Sequence, residues 1–265
     1  MHAQPVNSAS GYYGKAPATG DFIKHNLPRA FIEPWDDWLQ TLLAFSKEQM
    51  ADEWLDIYLT SPIYRFVLTP GICGELGWRG VVMPSVDRVG RYFPMTICSP
   101  LGSGKNPFQY ILQESQWFSK AESLVLSVLE DNFSAESLNA SLNTLGETDQ
   151  PTSTTASIAL PRPDDKLSGS MAFREPLPAD DSDTLPLHQN LLHSLLLETG
   201  FAYSLWRTTG SEKVSSSLLL TQGLPPAKSG AAMMDGNWSG RGWMDSNLSL
   251  AVSGVPNNQP APWDS

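Results

Sequence analysis

Three short polar stretches hold most of the residues able to do chemistry. They are GDF at 20–22, LPR at 27–29 and PSVDRVGR at 84–91, each set beside strongly apolar sequence. They place Asp21, Arg29, Ser85, Asp87, Arg88 and Arg91 in loops, where binding groups carried on a rigid frame usually sit. Three kinds of chemistry fit this set. Asp–Arg pairs and side-chain-to-backbone bonds would fix the loops themselves. The same charges, displayed outward, would form a partner-binding surface. A carboxylate–serine pair, with Asp21 and Asp87 flanking Ser85, would suit a hydrolase or small-ligand enzyme, although no base titrating near neutrality lies beside it.

Other reaction types find less support. No GxSxG nucleophile motif occurs. The four histidines are His2, His25, His188 and His193. The last two are five residues apart on a helical pattern, which points them in different directions and argues against a shared metal. Cys73 and Cys98 have neither metal-ligand nor CxxC spacing and lie in apolar, strand-like sequence, as buried thiols do. LGSGKN at 101–106 approaches a phosphate-binding loop but lacks its spacing and the hydroxyl residue after Lys105. No cofactor or metal is expected.

Composition narrows the class further. The chain has 265 residues, 41% hydrophobic, with nine Trp, enough for a sizeable core and unlike a disordered chain. The net charge is −11, which disfavours nucleic acid as a partner because displacing phosphate counterions needs a basic surface. The charge is uneven: residues 1–120 carry 10 Lys/Arg and 11 Asp/Glu, whereas 121–265 carry 7 and 17. The acidic half is read as a solvated surface or as a docking face for a basic partner. No apolar run is long enough for a membrane span, so no direct membrane insertion is expected. MHAQPVNSAS at the start has no basic-then-apolar secretory pattern, so the expected location is cytoplasmic.

The elements that must position these residues follow from periodicity. Gly11–Lys15 reads as a strand, followed by a loop to Asp21. A helix is expected from Glu33, with Pro34 in its first turn and Trp35, Trp38, Leu39, Leu42 and Leu43 on one apolar face. At that spacing Trp35 and Trp38 serve the core or a partner contact. Strands are expected at 63–69, 78–84 and 92–98, the last two forming a hairpin about SVDRVGR, with Pro94 suited to an edge or a bulge. The pattern predicts a helix over 108–129, a second one capped by Ser134 and running to Leu145, and a third over 187–197 stopped by Gly200. Strands at 202–209 and 214–221, joined by a turn, precede a short helix near Met233. This order predicts an α/β fold: a mixed, largely antiparallel central sheet with helices packed on its faces, a three-layer sandwich. Residues 1–10 read as a mobile start, 146–165 as a polar loop, 180–183 as a polar connection and 253–265 as a disordered tail. Residues 11–252 form the single expected domain.

Several of these segments also carry a family likeness. GYYGKAPATGDF (11–22), LPRAFIEPWDDWL (27–39) and GVVMPSVDRVGRYFP (80–94) resemble the N-terminal domain of TagF, called ImpM in some organisms. SLWRTTGSEKV (204–214) and GLPPAKSGAAMMDGNW (223–238) resemble that family's closing hairpin and last helix, so the likeness spans about 11–238. The chain departs from the pattern at Arg207, where an aromatic pair is frequent, and at KSGA (228–231), which replaces a more apolar stretch. The resemblance implies a cytoplasmic, non-enzymatic accessory protein of the bacterial type VI secretion system. Such a protein represses secretion after translation by binding and sequestering a forkhead-associated-domain scaffold protein. Asp21, Arg29, Trp35, Trp38, Ser85, Asp87, Arg88 and Arg91 are the candidate partner-binding residues. Two readings stand beside it: the hydrolase using Asp21, Ser85 and Asp87, and a structural subunit of a larger assembly.

Overall fold

Every residue of Gly77–Met83 is buried. Its side chains alternate between two cores: Trp78 and Val82 belong to one apolar cluster, Val81 and Met83 to another. A strand buried on both faces has to lie inside a sheet that is covered on both sides. The computed structural model, which describes residues 10–102, 105–112, 115–145, 184–198 and 202–244, has that arrangement.

The strands are β1 (Gly11–Gly14), β2 (Ile23–His25), β3 (Tyr64–Leu68), β4 (Gly77–Met83), β5 (Met95–Leu101), β6 (Tyr203–Thr208) and β7 (Ser217–Gln222). They form one sheet in the order β2-β1-β5-β4-β3-β6-β7. Each neighbouring pair is antiparallel, so the sheet anticipated as mixed is antiparallel in all its pairings. Helices α1 (Arg29–Met50), α2 (Trp54–Leu59) and the short α7 (Ala232–Asp235) cover one face. On the other lie α3 (Pro107–Leu112), α4 (Gln116–Ser127), α5 (Ala135–Thr144) and α6 (Thr184–Glu198). The three-layer α/β sandwich is the fold class expected from the element order.

The first core is aromatic. Trp35 on α1 stacks nearly parallel on Trp206 of β6, with ring centres 5.9 Å apart and planes 6° apart. Trp38, Phe66 and Phe31 pack around this pair. A glycine in β4 makes room for it: a β-carbon on Gly80 would stand 2.3 Å from the Phe66 ring and 2.7 Å from Cys98 Cβ.

Some boundaries differ from the sequence expectation for identifiable reasons. α1 begins at Arg29 rather than Glu33, which puts Pro34 inside the helix. The extra turn buries Phe31 between Trp35 and Trp78, and Pro28 O accepts from the backbone N–H groups of Phe31 and Ile32. The helix expected over 108–129 is two helices. Ser115 adopts an extended backbone and caps α4 by accepting from Phe118 N at 3.4 Å. Arg207 donates to the last carbonyls of α3, Ile111 O at 3.2 Å and Leu112 O at 3.4 Å, which gives that departure from the family pattern a structural role. The strand expected at 92–98 lies at 95–101, because residues 84–94 leave the sheet as a separate excursion. The short elements β2 and α2 were not anticipated. Ser134 caps α5 as expected, accepting from Ser137 N at 3.1 Å. The expectations for 1–9, 146–165, 180–183, Gly200 and 253–265 lie outside the described residues.

Candidate functional site

Between β4 and β5 the chain folds back on itself over residues 84–94. Val86 and Tyr92 form a bridge, and Asp87 N donates to Arg91 O at 3.1 Å. This closes a three-residue loop, Arg88–Val89–Gly90. Gly90 N donates to Asp87 O at 3.0 Å, and Gly90 has φ +83°, a left-handed conformation natural to glycine at the end of such a loop. Aspartate suits the first position of this turn because its side chain can bond the backbone two residues on.

Asp87 does more than that. Its Oδ1 accepts from Val89 N at 3.1 Å and Arg91 N at 2.8 Å, and its Oδ2 accepts from Arg91 Nε at 2.6 Å and Lys15 Nζ at 2.9 Å. The side chain has no exposed surface. Burial alone would raise its pKa. The hydrogen bonds from the Arg91 backbone, the Lys15 and Arg91 side chains and the Val89 backbone outweigh that and hold the carboxyl well below the usual carboxylate range. An ionised carboxylate offers about four lone-pair positions, and all four are occupied, so none remains to take a proton from a substrate.

Ser85 is equally committed. Its hydroxyl is buried and donates to Lys15 O at 2.8 Å, whereas a serine nucleophile would donate to a base. The Tyr58 hydroxyl on α2 donates to Ser85 O at 2.8 Å and accepts from Ser85 N at 3.0 Å. Burial raises the Tyr58 phenol well above its ordinary pKa, so it stays protonated and able to do both. The excursion is also tied to the β1–β2 loop. Arg88 N donates to Thr19 O at 2.8 Å and Arg91 Nη2 to Gly20 O at 2.5 Å.

The other predicted residues divide into two groups. Trp35 and Trp38 are core residues, not surface contacts. Their indole N–H groups donate to Thr96 Oγ1 at 3.0 Å and Pro225 O at 2.8 Å. Asp21, Arg29, Arg88 and Arg91 reach solvent. Asp21 accepts from the Phe22 backbone at 2.8 Å, and Arg29 pairs with Glu33 one turn along α1. Asp21, Ser85 and Asp87 therefore do not form one accessible set, the first being exposed and the other two buried. Of the loop readings, the network of Asp–Arg and backbone bonds is what the geometry builds, and it carries an exposed tip made of Arg88, Val89 and Gly90.

Sequence reasoning missed Lys15, Tyr58 and Thr19. Lys15 carried a weak signal, a charge next to a strand of buried aromatics. For Tyr58 the signal was the spacing of Trp54, Ile57 and Tyr58, one apolar helix face. Phe22, 39% exposed, was also passed over; it stacks on Tyr13 and meets Phe93 edge-on, with Lys15 Nζ 5.0 Å from its ring centre.

Elsewhere, Cys73 and Cys98 are free and buried, and burial pushes the Cys73 thiol up to about 12. His25 stacks on Tyr12, and His193 bonds the Tyr203 hydroxyl at 2.7 Å. Among the described residues, no group of three or more His, Cys, Asp or Glu is placed to hold a metal ion, and no helix is long and apolar enough to cross a membrane.

Residues 11–145 match the family described as TagF N-terminal domain, type VI secretion system-associated. That match covers the clamped hairpin and its anchoring strands. PA0076 from Pseudomonas aeruginosa PAO1, known as a crystal structure, is 33% identical; the similarity covers 86% of this chain and 95% of that one, with a TM-score of 0.69. No curated protein sequence matches the chain.

Proposed function

Because the chain belongs to the TagF family of type VI secretion system-associated proteins, we propose that it is a cytoplasmic, non-catalytic regulator that represses secretion after translation by binding and sequestering a forkhead-associated scaffold protein. One observation carries this reading. The PSVDRVGR motif spends its carboxylate and hydroxyl on its own architecture and displays an exposed tip. Asp87 and Ser85 are fully engaged, while Arg88 and Val89 stand outward. A surface of that kind is suited to being recognised, and bonds already made before contact reduce the ordering cost of association.

Repression then works by mass action. Each scaffold molecule held by the regulator is withdrawn from the pool available to the secretion machine, so the effect scales with the concentration of regulator relative to its dissociation constant.

Affinity purification of the tagged full-length protein from cells with an active secretion system tests this. The expected result is recovery of a forkhead-associated protein, with secretion falling when the regulator is overproduced and rising when it is deleted. Recovery of no secretion component, or turnover of a small substrate that Ser85→Ala abolishes, would overturn the proposal.

A further inference from the structure

The chain as a whole is strongly acidic, yet the rim formed by the hairpin tip, the β1–β2 loop, the edge strand β2 and the start of α1 exposes Lys24, Arg29, Arg88 and Arg91. The rim is one continuous surface. Arg88 N and Arg91 Nη2 bond to Thr19 O and Gly20 O, and the Arg88 guanidinium lies so close to Gly20 that a β-carbon there would be 3.3 Å from it. Phe22 and then Lys24 follow directly along the chain, and Lys24 shares a cleft with Arg29 at the start of α1.

Four acids lie along it: Glu33 is paired with Arg29, Asp87 is buried and paired with Lys15 and Arg91, Asp36 accepts from the Tyr13 hydroxyl, and Asp21 bonds the Phe22 backbone, so the charge left for a partner is carried by Lys24 and Arg88. Among the described residues, no acidic side chain is bonded to Lys24 or Arg88. Two apolar side chains stand among the cations: Phe22, stacked on Tyr13 and edge-on to Phe93, and Val89, 67% exposed at the tip. Cations around a small apolar centre match the usual anatomy of a recognition surface, in which apolar anchors give affinity and charges give specificity and speed.

From this geometry we infer that the rim docks an acidic segment of the partner protein that bears an aliphatic or aromatic side chain, the acids meeting Lys24 and Arg88 and the apolar group meeting Phe22 and Val89. The identity of the partner rests on the sequestration reading above; the chemistry of the contact does not. Lys24 and Arg88 attract such a segment and steer the encounter to this rim.

The test uses the full-length protein and its Lys24→Glu/Arg88→Glu double variant, two exposed side chains outside the clamp. Binding is measured to the co-purified forkhead-associated protein and to a labelled synthetic peptide of Asp and Glu with one central Leu, at low and at raised salt. The expected outcome is that native protein binds both, that raised salt weakens both, and that the double variant loses about tenfold or more in affinity, mainly through slower association. Phe22→Ala, which leaves every charge in place, should weaken the peptide without changing the salt dependence. If the scaffold protein binds native and double variant alike, this inference falls while sequestration stands. If the scaffold protein does not bind at all, sequestration falls and the peptide decides: loss of peptide binding in the double variant upholds the rim, and no peptide binding to native protein overturns it. Binding of duplex DNA in place of the peptide also overturns it.

Discussion

Lys15 and Asp87 meet as a buried ion pair, Nζ to Oδ2 at 2.9 Å, across 72 residues of sequence. The bond joins the end of β1, one strand in from the sheet edge, to the root of the hairpin. Lys15→Met should release the hairpin and lower thermal stability by several degrees, since removing one partner of a buried pair leaves the other charge poorly compensated. Calorimetry measures the shift, and faster amide exchange at Asp87 and Val89 localises it. An unchanged melting temperature would mean that Arg91 alone suffices.

The same carboxylate sets an acid limit. An aspartate in an unfolded chain protonates near about pH 3.9, whereas Asp87 in the folded protein stays ionised to lower pH. The unfolded state therefore binds the proton first, and the contribution of Asp87 to stability, complete above about pH 5, is lost as pH falls through 4 towards the folded value. Asp87→Asn should be less stable at pH 7 and show a shallower further loss on acidification. Denaturant unfolding at a series of pH values checks both.

Tyr58 gives a second handle on the hairpin. Tyr58→Phe removes the group that both donates to Ser85 O and accepts from Ser85 N. Leaving buried backbone groups unpaired costs about 1–3 kcal/mol. The variant should remain folded, with a lower unfolding midpoint and raised amide exchange at Ser85.

Gly80 tests the core. Its place against Phe66, Cys98 Cβ and the Ile97 carbonyl leaves no space for a methyl group. Gly80→Ala should destabilise by about 1–3 kcal/mol or more, because packed interiors resist added volume. Equilibrium unfolding measures it.

Trp35 separates stability from binding. It is fully buried, stacked on Trp206 and bonded to Thr96. Trp35→Ala should cost about 3–5 kcal/mol, while any fraction that remains folded at low temperature binds its partner as native protein does. Loss of affinity in a demonstrably folded Trp35→Ala sample would return that residue to the interface.

Local pattern made much of this legible in advance. Enrichment in β-branched and aromatic residues at 63–69 and 78–84 marked strands, and the spacing of Trp35, Trp38, Leu39, Leu42 and Leu43 marked the long helix. The SVDRVGR segment stood out as a hairpin tip because aspartate and glycine at those positions satisfy turn geometry locally. Where the pattern misled, distant partners decided. Phe31 draws α1 one turn past Pro34 to reach Trp78, and Ser115, with Arg207 from a strand almost a hundred residues on, divides one apolar run into two helices. Within the candidate site, the sequence singled out Ser85, Asp87, Arg88 and Arg91 but left open whether they were catalytic, structural or exposed for contact.

By itself, then, the order of residues determined the class of fold, the place of the unusual loop and the division of the chain into a charge-balanced and an acidic half. These are properties of composition and short spacing, which residues carry wherever the chain runs. Only the tertiary structure decided that Lys15 and Tyr58 hold Asp87 and Ser85, that both tryptophans turn inward, and that Lys24, Phe22 and Arg88 share one rim. Such pairings depend on how seven strands order themselves in a sheet, and that order is chosen by packing both faces at once, which no local stretch of sequence encodes alone.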